Sequence, residues 1–226
     1  MNVKPELRPA CIYVIAGPNG AGKSSIVGAM LLEAGVDYFN PDTEARRIKA
    51  ENPSIVATEA NAIAWRAGKN ALERALAGQK TFAFETTLGG NTIPALLGTA
   101  VDRGVQLKIW FICLESVELH IERVRARVAK GGHDIPESKI RERFQRARAH
   151  LLELLPKTTE LRLFDNSRER DPGRGQTPEP LLILHCRQGR IVHLCAPAAI
   201  PNWAKPIVEL AMRWDEAGGP PSRREG

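Results

Sequence analysis

Eight consecutive residues, Gly17-Pro18-Asn19-Gly20-Ala21-Gly22-Lys23-Ser24, carry the most specific chemistry in this chain. Glycines at fixed positions let successive backbone N–H groups turn toward one point, and the helix that follows aims its positive dipole end at the same place. Such a cradle holds a polyphosphate. Lys23 is the residue expected to reach the outer phosphates, the Ser24 hydroxyl to serve as a ligand to Mg²⁺, and Ser25 to start the helix proper.

A cradle of this kind needs a strand to deliver it, and the apolar run Cys11–Ala16 does so. Ligands of a doubly wound sheet lie at the carboxyl ends of its strands, so the polar residues just after each apolar run are the other candidates. The first set is Asn40-Pro41-Asp42-Thr43-Glu44. Asp42 is placed there either to take a proton from an attacking hydroxyl or to cap a helix beginning at Thr43, and the two readings stand evenly. The second set is Phe84-Glu85-Thr86-Thr87-Leu88-Gly89-Gly90. Glu85 suits orienting a substrate hydroxyl or holding a water on Mg²⁺, and Thr86 suits an anionic group; Asn91 or Thr92 is the expected cap of a helix starting near Ile93. The third set runs from Arg123 to Glu137. Arg123 and Arg127 share a helix face, and Gly131-Gly132 permits a hinge, which predicts a lid over about residues 128–137. Arg127 is the arginine expected to neutralise charge in phosphoryl transfer, Arg125 is expected to face solvent, and His133 to cover the lid.

The pattern along the chain predicts how these residues are carried. Strands are expected at Cys11–Ala16, Val36–Asn40, Thr81–Glu85, Leu107–Leu114 and Leu161–Asp165, with helices near 23–33, 43–50, 58–77, 92–103, 116–129 and 136–154. Alternation of this kind is the signature of a parallel five-stranded sheet with helices on both faces. In the last of these helices Ile140, Phe144, Ala147, Leu151 and Leu155 form one apolar stripe with arginines on its flanks. A polar loop, Ser167–Pro180, precedes two apolar runs, Leu181–Cys186 and Arg190–Cys195, which read as a C-terminal β-hairpin added to a sheet edge, and a helix from about Pro201 to Trp214 follows. The chain is expected to form one domain over residues 1–216, with a core at 11–168, an extension at 181–214 and a disordered tail at 217–226.

Composition narrows the setting. A net charge of +6 suits anionic nucleotides as well as nucleic acid, and the aromatic content of 5% offers few platforms for stacked bases, so nucleic acid is not favoured as a partner. Cys11, Cys113, Cys186 and Cys195 are widely spaced and form no zinc or disulfide pattern. With no signal-like leader or membrane-length apolar run, a cytoplasmic location is expected.

Taken in order, these segments resemble the zeta-toxin family of P-loop kinases, particularly its compact stand-alone members. The matching residues are Gly17 to Ser25, Asn40-Pro41-Asp42, Phe84 to Leu88, the run Arg123 to Glu137, Arg141 to Phe144, and Phe164-Asp165-Asn166-Ser167, which together cover roughly residues 11–168. The resemblance implies a P-loop kinase-like fold and an ATP-dependent, Mg²⁺-requiring kinase whose best-known relatives phosphorylate a hydroxyl of UDP-N-acetylglucosamine. In that scheme Asp42 is the general base, Lys23 and Arg127 form the phosphate clamp, and Glu85 contacts the substrate, with Thr86 and Arg46 grouped beside it. Arg123 and Asn166 join the loop as nucleotide contacts, and an antitoxin-like protein becomes a candidate partner. The chain departs from the pattern in carrying Glu142 within a segment expected to be arginine-rich, which leaves Arg141 and Arg143 undistinguished. The short stretch between Asp42 and Thr58 implies an altered sugar-nucleotide pocket. A polynucleotide or nucleoside kinase is the alternative enzyme. A nucleotide-dependent switch, with Asp42 and Glu85 as mere caps, is the alternative from another class.

Overall fold

The computed structural model describes residues 10–24, 38–168 and 179–220. Expectations for residues 1–9, for Ser25 and the helix to residue 33, for the second strand at 36–37, and for 169–178 and 221–226 fall outside the described residues. The elements are β1 (Cys11–Ala16), β2 (Tyr38–Phe39), α1 (Pro41–Glu51), α2 (Ala57–Ala77), β3 (Phe82–Thr86), α3 (Thr92–Asp102), β4 (Gln106–Cys113), α4 (Val117–Ala129), α5 (Glu137–Leu154), β5 (Glu160–Asp165), β6 (Leu181–Arg187), β7 (Arg190–Leu194) and α6 (Lys205–Glu216).

The strands form one mixed sheet of seven in the order β2-β3-β1-β4-β5-β6-β7, with helices on both sides. β2, β3, β1, β4 and β5 run parallel, as the alternating pattern predicted, and the hairpin β6–β7 is added antiparallel beyond β5. Strand residues alternate between two cores because successive side chains leave a strand on opposite faces. Ile12, Val14 and Ala16 of β1 enter the larger core with Leu97 of α3, Phe144, Ala147 and Leu151 of α5, and Ile207 and Val208 of α6. Ile15 enters a smaller cluster on the other face with Ala21, Ala83, Trp110, Ile112 and Phe164.

The stripe expected on α5 is the one buried, with Ile140, Ala147 and Leu151 at most 1% exposed. Trp203 is also core, and its indole N–H donates to Asp165 Oδ2 at 3.2 Å. Residues 217–220, expected to open the disordered tail, instead close α6. The Ala217 N–H donates to Arg213 O at 3.2 Å and the Gly219 N–H to Trp214 O at 2.7 Å. Because β3 and β4 flank β1, the chain reverses its direction of winding at β1, and the loop leaving that strand opens into the crevice where such sheets bind ligands.

Candidate active site around the phosphate loop

Residues 17–22 form the loop leaving β1, and Lys23 and Ser24 open the helix after it. The glycine at position 17 is required twice over. Its φ is +143°, and a Cβ there would lie 2.0 Å from the Ile112 carbonyl oxygen of β4. The loop therefore rests directly on the strand. A Cβ at Gly20 would meet the His120 carbonyl oxygen at 2.6 Å, so α4 also touches the loop through backbone. Lys23 is 7% exposed, and its ammonium bridges the loop by donating to Gly17 O at 2.9 Å and Pro18 O at 3.1 Å. On the far side Asn166, after β5, donates from Nδ2 to Ala21 O at 2.9 Å. The Asn166 amide, expected as a nucleotide contact, is held against the loop backbone.

Glu85, at the end of β3, is buried beneath Ser24. Its Oε2 accepts from Ser24 Oγ at 3.0 Å, Tyr38 Oη at 2.7 Å and Asn40 Nδ2 at 3.0 Å, while Oε1 lies 3.6 Å from Lys23 Nζ. Burial and the adjacent carboxylate hold the Tyr38 phenol well above its ordinary pKa, so it keeps its proton and donates. Glu85 is thus grouped with Lys23 and Ser24 at the phosphate end of the crevice. Thr86 turns its hydroxyl onto its own loop and accepts from the Leu88 N–H at 3.1 Å.

The structure takes the cap of the Asn40-Pro41-Asp42 turn away from Asp42. The helix begins at Pro41, not at Thr43, and Asn40 is its cap: Oδ1 accepts from the Asp42 N–H at 2.8 Å and the Thr43 N–H at 3.2 Å. Proline suits the first helical position because its missing N–H is one that the helix leaves unpaired. Relieved of capping, the Asp42 carboxylate is 67% exposed in the crevice, with Oδ2 3.8 Å from Arg127 Nη1. An exposed pair of this length stabilises by no more than about 1 kcal/mol, so it orients the two groups without locking them. Replacing Asn40 by alanine should cost about 1 kcal/mol of stability from the cap alone. It should also lower any turnover that depends on Asp42. Urea unfolding set beside activity separates the two losses.

Arg46 does not line the crevice. Its guanidinium folds onto α1, donating to Asp42 O at 3.3 Å and Thr43 Oγ1 at 3.1 Å. Asn91 occupies the cap position of α3 but makes no side-chain capping bond, because its Oδ1 accepts from Arg146 instead.

The arginines separate cleanly. Arg127 lines the crevice, donates from Nη2 to the His133 carbonyl at 3.0 Å, and leaves its buried Nε without a partner among the described residues. Arg123 also lines it, with Nη2 3.4 Å from Ser167 O. Arg125 faces outward and pairs with Glu137. Arg141 points away, tied to Glu137 and Glu118 at 2.7 and 2.9 Å. Arg143 points in, donating from Nη1 to Asn19 Oδ1 of the phosphate loop at 2.8 Å. Burial pulls its pKa below the ordinary arginine value, the signature of a cation removed from water. Arg141→Ala should therefore leave nucleotide affinity within about twofold, whereas Arg143→Ala should weaken a triphosphate by tenfold or more, roughly the worth of one charge-assisted hydrogen bond; calorimetric titration reads both.

The crevice is about 880 Å³ and extends from the loop to α2, whose Thr58, Asn61 and Trp65 form the opposite wall. His133, in the segment between α4 and α5, spans toward that wall with Nε2 3.0 Å from Asn61 Nδ2. Asn61 and Trp65 of the crevice wall, Tyr38 beside Glu85 and His120, fully buried behind the loop, are residues that motif reading did not single out, and Asn40 was quoted with its motif but given no role of its own. The residues fit a nucleoside triphosphate with its divalent cation. The loop amides and Lys23 match the phosphates, and the hydroxyl and carboxylate oxygens of Ser24 and Glu85 are the hard donors that Mg²⁺ prefers.

Comparison with known proteins agrees with this geometry. A 128-residue stretch is 30% identical to an uncharacterized protein of Haemophilus influenzae, covering 57% of this chain and 88% of that one. Among solved structures, AvrRxo1-ORF1:AvrRxo1-ORF2 with ATP superposes with a TM-score of 0.59 at 15% identity, over 96% of this chain and 66% of that one. The same complex with sulphate ions gives 0.59 at 14% identity, and there this chain spans 64% of its relative, short of two thirds. The PezAT chromosomal toxin-antitoxin system of Streptococcus pneumoniae gives 0.53 at 14% identity, over 72% of this chain and 70% of that one. At such identities the likeness shows the fold, which is P-loop kinase-like. Among the described residues no helix is long and apolar enough to cross a membrane. The AAA domain family AAA_33 matches residues 12–153. Because that match takes in more than half of the chain and every residue lining the crevice, the chain belongs to the AAA_33 family of AAA domains.

Proposed function

We propose that the protein is an ATP-dependent kinase that transfers the γ-phosphoryl group to a hydroxyl of a small molecule, with UDP-N-acetylglucosamine or another nucleotide sugar as the first acceptor to test. The observation that carries this reading is the Asp42 carboxylate, freed from capping by Asn40 and exposed beside Arg127 in the crevice that opens from the phosphate loop. A carboxylate so placed can take the proton of an acceptor hydroxyl as its oxygen attacks. When bound, Mg²⁺-ATP would supply the transferable phosphoryl group and a divalent charge to offset that of the phosphates. Lys23, Arg127 and Arg143 would offset the negative charge that develops there, Ser24 would serve as a ligand to the cation, and Glu85, which accepts from the Ser24 hydroxyl, would orient it and take a hydrogen bond from a water held by the cation.

The exposed contact between His133 and Asn61 spans one side of the crevice, and drawing that side over bound substrates would exclude water, which favours transfer over hydrolysis. A zeta-toxin-like member of the family, located in the cytoplasm, is the finer reading, supported by the fold shared with the PezAT system. An antitoxin-like protein is the partner class this suggests. The test is incubation with γ-labelled ATP, Mg²⁺ and a panel of nucleotide sugars, nucleosides and short RNA. Label on one small acceptor supports the reading; label on RNA alone moves it to a polynucleotide kinase. Tight ATP binding with no labelled product favours a nucleotide-dependent switch.

A further inference from the structure

His120 lies in α4, 101 residues from the loop that it touches, and is 0% exposed. Its Nδ1 donates to the Asn19 carbonyl at 2.7 Å, and its Nε2 accepts from the Leu114 N–H at the end of β4 at 3.2 Å. A donor at one ring nitrogen and an acceptor at the other define the neutral, Nδ1-protonated imidazole, since the imidazolium has two donors and could not accept from Leu114. Burial disfavours the charged ring, the Asn19 carbonyl opposes that effect, and Lys23, Arg123 and Arg148 reinforce it. Asn19 in turn accepts Arg143 through its side-chain oxygen at 2.8 Å. The His120 ring also packs edge-to-face with Phe144, the residue after Arg143, with centroids 5.3 Å apart.

We infer that His120 is a positioning residue: through Asn19 it sets the distance between the phosphate loop and Arg143, and so tunes how strongly the site prefers a triphosphate to a diphosphate. The chain of contact is continuous, from the end of β4 through the imidazole and the loop backbone to a guanidinium on α5. Arg143 has no carboxylate at ion-pair distance among the described residues, so Asn19 is the group that fixes it in the crevice. Loss of the imidazole would let the Asn19 peptide turn. Arg143 would then lose its anchor while the remaining loop amides still held the inner phosphates.

This inference rests on the reading that the crevice binds a nucleoside triphosphate, and the test separates the two. Affinities for ADP and for a non-hydrolysable ATP analogue are measured calorimetrically for the parent, His120→Leu, His120→Asn, Asn19→Ala, Arg143→Ala and the His120→Leu/Arg143→Ala double variant. His120→Leu, Asn19→Ala and Arg143→Ala should each lower the preference for the ATP analogue over ADP by about tenfold, and the double variant should lose little more than Arg143→Ala alone. His120→Asn, whose amide can still donate to the Asn19 carbonyl, should keep most of the preference. Should His120→Leu fail to fold, Asn19→Ala and His120→Asn decide the matter.

Equal weakening of both nucleotides by the His120 and Asn19 variants would overturn the inference, as would an undiminished His120 effect in the Arg143→Ala background. If neither nucleotide binds the parent, the triphosphate reading itself fails. The ring is then read directly from ¹⁵N chemical shifts of the folded protein at neutral pH, where any form but the Nδ1–H tautomer removes the proposed coupling.

Discussion

Replacing Asp42 by asparagine should reduce phosphoryl transfer by roughly 100- to 10,000-fold, the range for losing a general base, while nucleotide affinity changes by less than about twofold. The substitution is nearly isosteric, and the Asn40 cap that starts the helix involves the backbone of Asp42, not its side chain. The other loss is the exposed contact with Arg127, worth little on its own. An amide cannot accept the hydroxyl proton, so the defect should appear in kcat with KM for ATP retained. Steady-state kinetics with the labelled acceptor measure it. Turnover equal to that of the parent would remove Asp42 from the chemistry and leave it an ordinary first-turn acidic residue.

The second large effect is on stability in mild acid. The folded protein holds the His120 pKa down to about 4, against an ordinary value of 6.5, principally because the ring is buried. Between those limits the unfolded chain binds the proton and the folded protein does not. Stability contributed by the neutral ring is therefore complete above about pH 6.5 and declines as the pH falls toward 4. The loss amounts to about 3 kcal/mol across that window, a large share of what a domain of this size possesses. Urea unfolding at intervals from pH 7.5 to 4.5 should show a slope about one proton steeper for the parent than for His120→Asn. Parallel slopes would mean that another group governs the acid sensitivity.

Much of this site was legible because its residues are contiguous and their types are restricted by close approach. The phosphate loop could be read from one octapeptide, and the strand before it from six apolar residues. Asn-Pro before an acidic turn is also a local signal of a cap followed by the first helical residue, so the reading that made Asp42 the cap overlooked a better one beside it. Arg141 and Arg143 are different. They flank the apolar stripe of α5 on opposite sides, and only the packing of that helix against α4 and the phosphate loop decides which flank meets the crevice. His120 is harder still. Its spacing with Ile121 and Val124 marks a buried helix face, but its partners, the Asn19 carbonyl, the Leu114 N–H and the Cys113 sulfur, are all supplied by other parts of the chain. The wall made by Asn61 and Trp65 was likewise hidden, because the side of α2 facing the crevice carries no motif.

The hairpin β6–β7 gives the nucleotide side of the crevice a different kind of protection. With β4 on one side and β6 on the other, β5 has its backbone amides engaged along both edges, and the segment Asp165 to Ser167 emerges from an interior strand. Amide hydrogens of β5 should exchange with solvent only when the whole domain opens, whereas those of β7, at the outer edge of the sheet, should exchange through local fraying. Slow exchange would thus begin immediately beside Asn166, so that the residue bracing the phosphate loop is anchored in the part of the sheet that breathes least.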